Sequence, residues 1–388
     1  MKKKLVIVMV VALACIFAFA SCAKAPAAPA ATQAPAATEA PAAAATEAPA
    51  APEAPAADLS VQVVAKGFQH QFWQVVKKGA EAAATDLGVK MTFNGPEGES
   101  AINTQVEMLN TALAANPSAI ALAALDTKSV ASQLEQAKAA GIPIIGFDSG
   151  VPDAPEGSIA ATASTDNEAA AALASDEMMK DAKFSAALKA ATPEKPVYIG
   201  VLSQDATSAS IIGRTKGFVD AMKAAAEETF PDAVAVEGHD NYKMDAASKP
   251  AVIIQVNVPP TPDAADMKNG AQAMLNTKNL IGVFCSNEGA VTGFLNATND
   301  GADLDREKGK YKEMTVAGFD AGKTQKSAVT NGWFLGAVTQ DPYQIGYQAV
   351  ELAVKAALGE KVADVDTGAK WYNAANITDP AIADLVYD

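Results

Sequence analysis

Cysteine, histidine and basic residues are the scarce types in this sequence. Its 388 residues carry three cysteines, Cys15, Cys22 and Cys285, and two histidines, His70 and His239. So few cysteines exclude a disulfide-dense scaffold. Two distant histidines in a chain without cysteine pairs announce neither a zinc site of ordinary spacing nor a Ser-His-Asp arrangement. We therefore expect no metal and no cofactor. Lys and Arg number 30 against 45 Asp and Glu, a formal net charge of −15. That balance argues against nucleic acid as a partner, because phosphate contacts need clustered cations that repay counterion release. The length is generous for one domain and fits two lobes of roughly 120–180 residues each.

Long apolar runs are also absent, except at the start. Lys2, Lys3 and Lys4 precede LVIVMVVALACIFAFAS, a chargeless stretch over residues 5–21. A basic n-region, an apolar h-region and a small-residue end make a secretory leader over residues 1–21. Its close, Phe19-Ala20-Ser21-Cys22, resembles the bacterial lipobox, with Phe19 in place of the usual Leu. The resemblance implies lipidation at Cys22 and a lipid-anchored protein outside the cytoplasm. An uncleaved anchor is the rival, since the run is at the short limit for spanning a bilayer. Residues 22–59 are nearly all Ala, Pro, Thr and Glu, with ATEAPA recurring. Such a segment has nothing to bury and makes a semi-stiff tether.

From residue 61 the pattern alternates between strand and helix. VQVVA (61–65), VKMTF (89–93), AIALA (119–123) and IPIIGF (142–147) read as strands. So do VYIGVL (197–202), AVAV (233–236), LIGVF (280–284), MTVAGF (314–319) and LGAVT (335–339). Trp73, Val76, Ala80, Ala83 and Leu87 recur at helical steps, as do Ile102, Val106, Leu109 and Leu113. The fold class is thus α/β, with two doubly wound parallel-sheet lobes. Ligands in such sheets bind beyond the carboxyl ends of the strands. The residues there are Lys66 to Trp73, Asp126, Asp148-Ser149, Gln204 to Ser208, Asn287-Glu288, Asp320 and Gln340. Carboxylates accept from vicinal hydroxyls, amides donate and accept, and aromatic rings stack on C–H faces. That is chemistry for a polyhydroxyl ligand.

QFWQVVKKGAE (71–81), GIPIIGFDS (141–149), STDN (164–167), VFCSNEGA (283–290), VAGFDAG (316–322) and VTQDPYQIGYQAV (338–350) occur in an order that resembles one family. The body is similar to the type I periplasmic sugar-binding proteins of the ribose/galactose kind, receptor subunits of ABC importers. The resemblance implies a three-crossing hinge, near Ser164–Thr165, Gln340–Asp341 and Val365–Gly368. It also implies an N-terminal lobe of residues 61–164 plus 341–366 and a C-terminal lobe of 165–340 plus 367–388. Phe72 and Trp73 match paired aromatics that sandwich the sugar. Lys66 and His70 match polar contacts of the first loop, and Asp148 an acid that takes two hydroxyls. Asn287, Phe319, Asp320 and Gln340 match contacts from the second lobe and hinge. Three departures bear on ligand identity. Ser149 stands where the ribose kind has an arginine. Ile212 stands at a second arginine position, with Arg214 two residues on. Lys66 with TFNGP (92–96) resembles the branch that binds rhamnose or a furanosyl quorum signal.

Simpler roles compete at several of these positions. Trp73 lies on the apolar face of its helix and suits a core. Arg214 with Lys216 could be a solvated pair. Asp166-Asn167 suits a helix N-cap. Asp148 and Asp320 could be imagined as a glycosidase pair, but no glycosidase pattern surrounds them. A repressor would need an N-terminal helix-turn-helix where this chain has a leader and tether. The expectation is a non-enzymatic, monomeric receptor that gives a small neutral sugar to an ABC permease. Reception of a furanosyl quorum signal or a chemotactic sugar is the alternative. The candidate ligand set is Lys66, His70, Phe72, Trp73, Asp126, Asp148, Ser149, Arg214, Asn287, Phe319, Asp320 and Gln340.

Overall fold

Buried parallel strands read as continuous apolar runs, and the chain supplies them in two groups. The computed structural model describes residues 58–68 and 70–388. The leader, Cys22 and the tether up to residue 57 lie outside the described residues. The first group holds β1 (Ser60–Val64), α1 (Gln71–Leu87), β2 (Lys90–Asn94), α2 (Ile102–Ala114), β3 (Ala119–Leu122), α3 (Ala131–Ala140), β4 (Ile144–Phe147) and β5 (Ala161–Ser164). The second holds α4 (Asn167–Lys180), α5 (Ala182–Lys189), β6 (Val197–Leu202), α6 (Ala209–Glu227), β7 (Val234–Glu237), β8 (Val252–Asn257), α7 (Ala264–Leu275), β9 (Leu280–Cys285), α8 (Glu288–Ala297), β10 (Thr315–Phe319), α9 (Lys323–Thr330) and β11 (Gly336–Gln340). After these come α10 (Pro342–Ala357), β12 (Val365–Asp366), β13 (Ala369–Tyr372) and α11 (Pro380–Ala383).

Strand order is β12-β5-β4-β3-β1-β2 in one sheet and β13-β11-β10-β9-β6-β8-β7 in the other. The expected α/β class with two doubly wound sheets is therefore present. Among the described strands parallel pairing has one exception, β13, which runs antiparallel to β11. Four strands add to the sequence expectation: β5, β8, β12 and β13. The chain leaves the first sheet after β5, and α4 packs on α6 and the second sheet. It leaves the second sheet after β11, and α10 packs on α1 and the first sheet. Between β12 and β13 it passes over once more.

Alternation within the first sheet divides its core. Val61, Val63, Ala121 and Ile145 face α1 and α10. Val64, Ile120, Leu122 and Ile144 face the other way, toward α2 and α3. The α1–α10 pair is fixed by glycine. A Cβ on Gly79 would meet the Tyr343 carbonyl oxygen, and one on Gly346 would meet that of Val76. Any side chain there would push the helices apart, at a cost typical of overpacked cores. This docking orients the amino end of α1, where Phe72 and Trp73 stand.

Candidate functional site

Two aspartates close equivalent strands, one in each lobe. Asp148 follows β4 with φ +51°, and Asp320 follows β10 with φ +77°. Aspartate tolerates this left-handed conformation better than most residues. Each amide still bonds to the neighbouring strand, Asp148 N–H to Ala163 O at 3.0 Å and Asp320 N–H to Val338 O at 2.7 Å. Together, strand ends and turns bring Lys66, His70, Phe72, Trp73, Asp148, Arg214, Asn287, Asp320 and Gln340 into one interlobe cavity. Glu99, Ser210 and Ile211 line it as well. Side chains fill most of the space, leaving a volume of about 20 Å³, close to that of one ordered water.

The first-lobe wall is aromatic and ionic. Phe72 and Trp73 touch edge to face, with centroids 5.0 Å apart and planes at 89°. No sugar ring fits between two rings already in contact. They form one wall, which corrects the expected sandwich. Trp73 is both core and lining: it is buried, meets Phe147 edge-on, and its indole N–H donates to Glu99 Oε1 at 2.8 Å. Glu99 Oε2 accepts from Gln204 Nε2 at 2.8 Å and lies 3.5 Å from Lys66 Nζ. Burial opposes ionisation of Glu99, but Lys66, His70 and these hydrogen bonds outweigh it and hold its pKa at about 2. Burial likewise opposes the Lys66 charge, yet Glu99, Asp205 and Asp148 raise its pKa above the ordinary value. Asp148 differs. Among the described residues no protein donor engages its carboxylate. Burial pushes its pKa up to about 6 against the weaker pull of Lys66 and Arg214.

The second-lobe wall is prewired. Asp320 Oδ1 accepts from Gln340 Nε2 at 3.1 Å and Arg214 Nη1 at 3.4 Å, and Oδ2 from the Glu288 amide at 2.9 Å. Arg214 lies 3.9 Å over the Phe319 ring, and its Nε donates to Asn167 Oδ1 at 2.8 Å. It is a cleft residue, whereas Lys216 is exposed and pairs with Glu168 and Asp220. Asn287 caps α8 through Ala290 N–H at 3.0 Å and donates to Gln204 Oε1 at 2.6 Å. Glu288 Oε2 is buried without a partner among the described residues, and burial pushes that carboxyl to about 7. Asp166 caps α4, accepting from Ala169 N–H at 3.0 Å.

Three candidates stand outside the lining. Asp126 accepts from the amides of Lys128 and Ser129 at 2.9 and 2.7 Å, so its carboxylate shapes a loop. Ser149 accepts from the Ser210 amide at 3.3 Å across the lobes. Phe319 lies behind Arg214 and supports it. Glu99 is the acid that sequence reasoning missed. It follows β2, so the strand-end rule, applied to that strand too, would have reached its loop. Lobe-to-lobe bonds continue beyond the cavity: Lys66 Nζ to Ser208 Oγ at 3.2 Å, Thr207 Oγ1 to Leu125 O at 3.1 Å, and the Lys323 amide to Gln71 Oε1 at 2.9 Å.

Two wound sheets facing one polar cavity at their carboxyl ends are the architecture of a two-lobed ligand receptor. The periplasmic binding protein domain matches residues 61–361, and the chain belongs to that family. It is 23% identical over 308 residues to the D-allose-binding periplasmic protein of Escherichia coli (strain K12), covering 78% of this chain and 86% of that one. It also resembles a solved Brachyspira murdochii structure described as an ABC transporter, LacI family transcriptional regulator. There the TM-score is 0.72 at 41% identity, over 86% of this chain and 99% of the other. An ABC transporter solute binding protein from Agrobacterium vitis, solved with bound D-fucose, matches with TM-score 0.68 at 28% identity, over 84% and 100%. A carbohydrate transporter solute binding protein from Agrobacterium radiobacter, in complex with D-arabinose, matches with TM-score 0.67 at 26% identity, over 85% and 99%.

Proposed function

We propose that this chain captures a small neutral sugar between its lobes and delivers it to an ABC import permease. The observation that carries the reading is the Asp148 carboxylate, which lines the cavity beside the aromatic wall and which no donor among the described residues engages. A buried carboxylate without donors is costly, and a ligand bringing two hydroxyls removes that cost. The arrangement favours neutral ligands. Glu99, Asp148 and Asp320 line the cavity with Lys66 and Arg214, so an anion would meet more negative than positive charge. D-Allose, D-fucose and D-arabinose, named in the relatives, are the first ligands to try. The ligand contacts we assign are Lys66, His70, Phe72, Trp73, Asp148, Arg214, Asn287, Asp320 and Gln340, to which we add Glu99. Residues 61–164 with 341–366, and 165–340 with 367–388, would move as two bodies, parting to admit a sugar that the present space of about 20 Å³ does not hold.

Calorimetry across neutral sugars should find tight binding, and each bound sugar should raise the melting temperature by mass action. Tight binding of a phosphorylated or carboxylated compound, with none of any neutral sugar, would overturn the reading. We also propose anchoring through lipid on Cys22, on the strength of the leader alone. Cys22→Ala should abolish lipid labelling and release the protein. Retained labelling or anchoring would reject this.

A further inference from the structure

A second cavity, of about 370 Å³, adjoins the first. Glu99 lines both, and Gln204 lines the outer one while accepting from Asn287 of the inner. The Glu99–Gln204 hydrogen bond therefore stands at their shared wall. The outer space is bounded by Ile102 from the first lobe and by Val258, Pro259, Pro260 and Pro262 from the second. Three prolines give a fixed apolar face with no amide N–H to offer.

The polar side chains around this cavity are largely committed elsewhere. Asp205 Oδ1 accepts from the amides of Thr207 and Ser208 and from Ser208 Oγ. Thr207 Oγ1 donates to Leu125 O, and Thr261 Oγ1 to Asp266 Oδ2. Glu99 and Gln204 bond to each other, to Trp73 and to Asn287. His239 Nδ1 accepts from the Asn241 amide. Among the lining side chains of the described residues, that leaves chiefly Ser100 and His239 Nε2 to meet a ligand. A second sugar brings several hydroxyls and would find few side-chain partners for them, each hydroxyl costing free energy where it is buried unpaired. An apolar group has no such requirement and gains from leaving water.

From this we infer that the outer cavity is a subsite for an apolar substituent, so that the ligand class extends to hydrophobic glycosides whose sugar sits in the inner cavity. The inference rests on the sugar-binding reading above. Its test is calorimetry of the wild type with D-allose, D-fucose and D-arabinose, each beside its phenyl glycoside in both anomers and beside a disaccharide carrying the same sugar. For whichever sugar binds, one phenyl anomer should bind at least about tenfold tighter than the free sugar, a gain of about 1.4 kcal/mol. Ala206→Phe, which fills the outer cavity, should abolish the gain and leave the free sugar's affinity unchanged. Pro260→Ser, a surface change that should fold whatever Ala206→Phe does, should reduce the gain. Free sugar binding without a phenyl gain, a gain confined to the disaccharide, or a gain that survives both substitutions overturns this subsite while sparing the sugar reading. If no sugar or glycoside binds, both fall.

Discussion

Asp148 and Asp320 occupy the same place in two similar lobes, yet their surroundings differ. Both end a strand and both adopt positive φ. Asp320 is ringed by donors from Arg214, Gln340 and the α8 amide, while the Asp148 carboxylate has none among the described residues. Strand-end position thus puts a carboxylate in the cleft but does not decide its task. Neighbours decide that. A carboxylate wired to its own lobe holds that lobe's wall in shape. An unwired one keeps its whole acceptor capacity for a ligand.

The largest effect that would break this comparison is on stability. Asp320→Ala removes the partner of a buried arginine, an amide side chain and a backbone N–H together. Breaking a buried charge pair from one side costs about 3–5 kcal/mol, and urea unfolding should show a loss of that order. Asp148→Ala, by contrast, should lower unfolding free energy by no more than about 1 kcal/mol, because it strands no donor. Its effect belongs to binding. Losing two charge-assisted bonds should weaken sugar affinity by about a hundredfold or more in calorimetry. Equal losses of stability in the two variants would refute the division of labour.

Acidity separates the two residues further. The Asp148 carboxyl ionises near pH 3.8 when unexceptional and at about 6 in the folded chain. Below about 3.8 it is protonated in both states, and its favourable contribution to folding is fully present. As pH rises through about 6 the folded state must hold a buried charge, and that contribution is lost. The ceiling is about 3 kcal/mol for a shift of this size. Relative to Asp148→Asn, the wild type should therefore lose stability from pH 3.8 to 6. Glu288, raised to about 7, has the same sign over a higher window, so Glu288→Gln is the control. Glu99, held at about 2, has the opposite sign. Its contribution is present above pH 4.5 and lost as pH falls toward 2. A flat difference between wild type and Asp148→Asn would remove the claim that burial outweighs the cations around the Asp148 carboxylate.

Strand ends carried most of the site because they are legible in sequence: a run such as IPIIGF stops, and the next residue is Asp148. Function-bearing loops are harder. Glu99 lies in GPEGES, which reads as an exposed turn, and only the folding of β2 beside β1 brings it under Trp73 and onto Lys66. β5, with sequence ATAS, is too short and too weakly apolar to stand out. β8 is different: VIIQVN is a clear apolar run, and its Pro-Pro exit marks the end plainly. The mutual contact of Phe72 and Trp73 was not readable, because adjacency in sequence says nothing about whether two rings touch or flank a gap. Arg214 posed a two-way choice that helix phase settles only once the facing sheet is known.

Arg214 and its neighbour Lys216 give the smallest effect and the sharpest contrast. Positions i and i+2 of a helix point about 200° apart, so when Arg214 faces the cleft Lys216 must face water. Lys216 makes two ion pairs, at 2.8 Å to Glu168 and 2.9 Å to Asp220, against a single longer one at 3.4 Å for Arg214. Counting pairs or comparing distances would rank Lys216 first. Burial reverses the ranking. The Lys216 side chain is 49% exposed and that of Arg214 only 3%. Exposed pairs are screened by water and salt, and measured values are about 0.2–1 kcal/mol. Lys216→Ala should accordingly shift unfolding free energy by less than about 1 kcal/mol, leave sugar affinity unchanged, and lose even that shift in 1 M salt. A loss above about 2 kcal/mol, or one that persists in salt, would mean that Lys216 and not Arg214 anchors this helix to the second sheet.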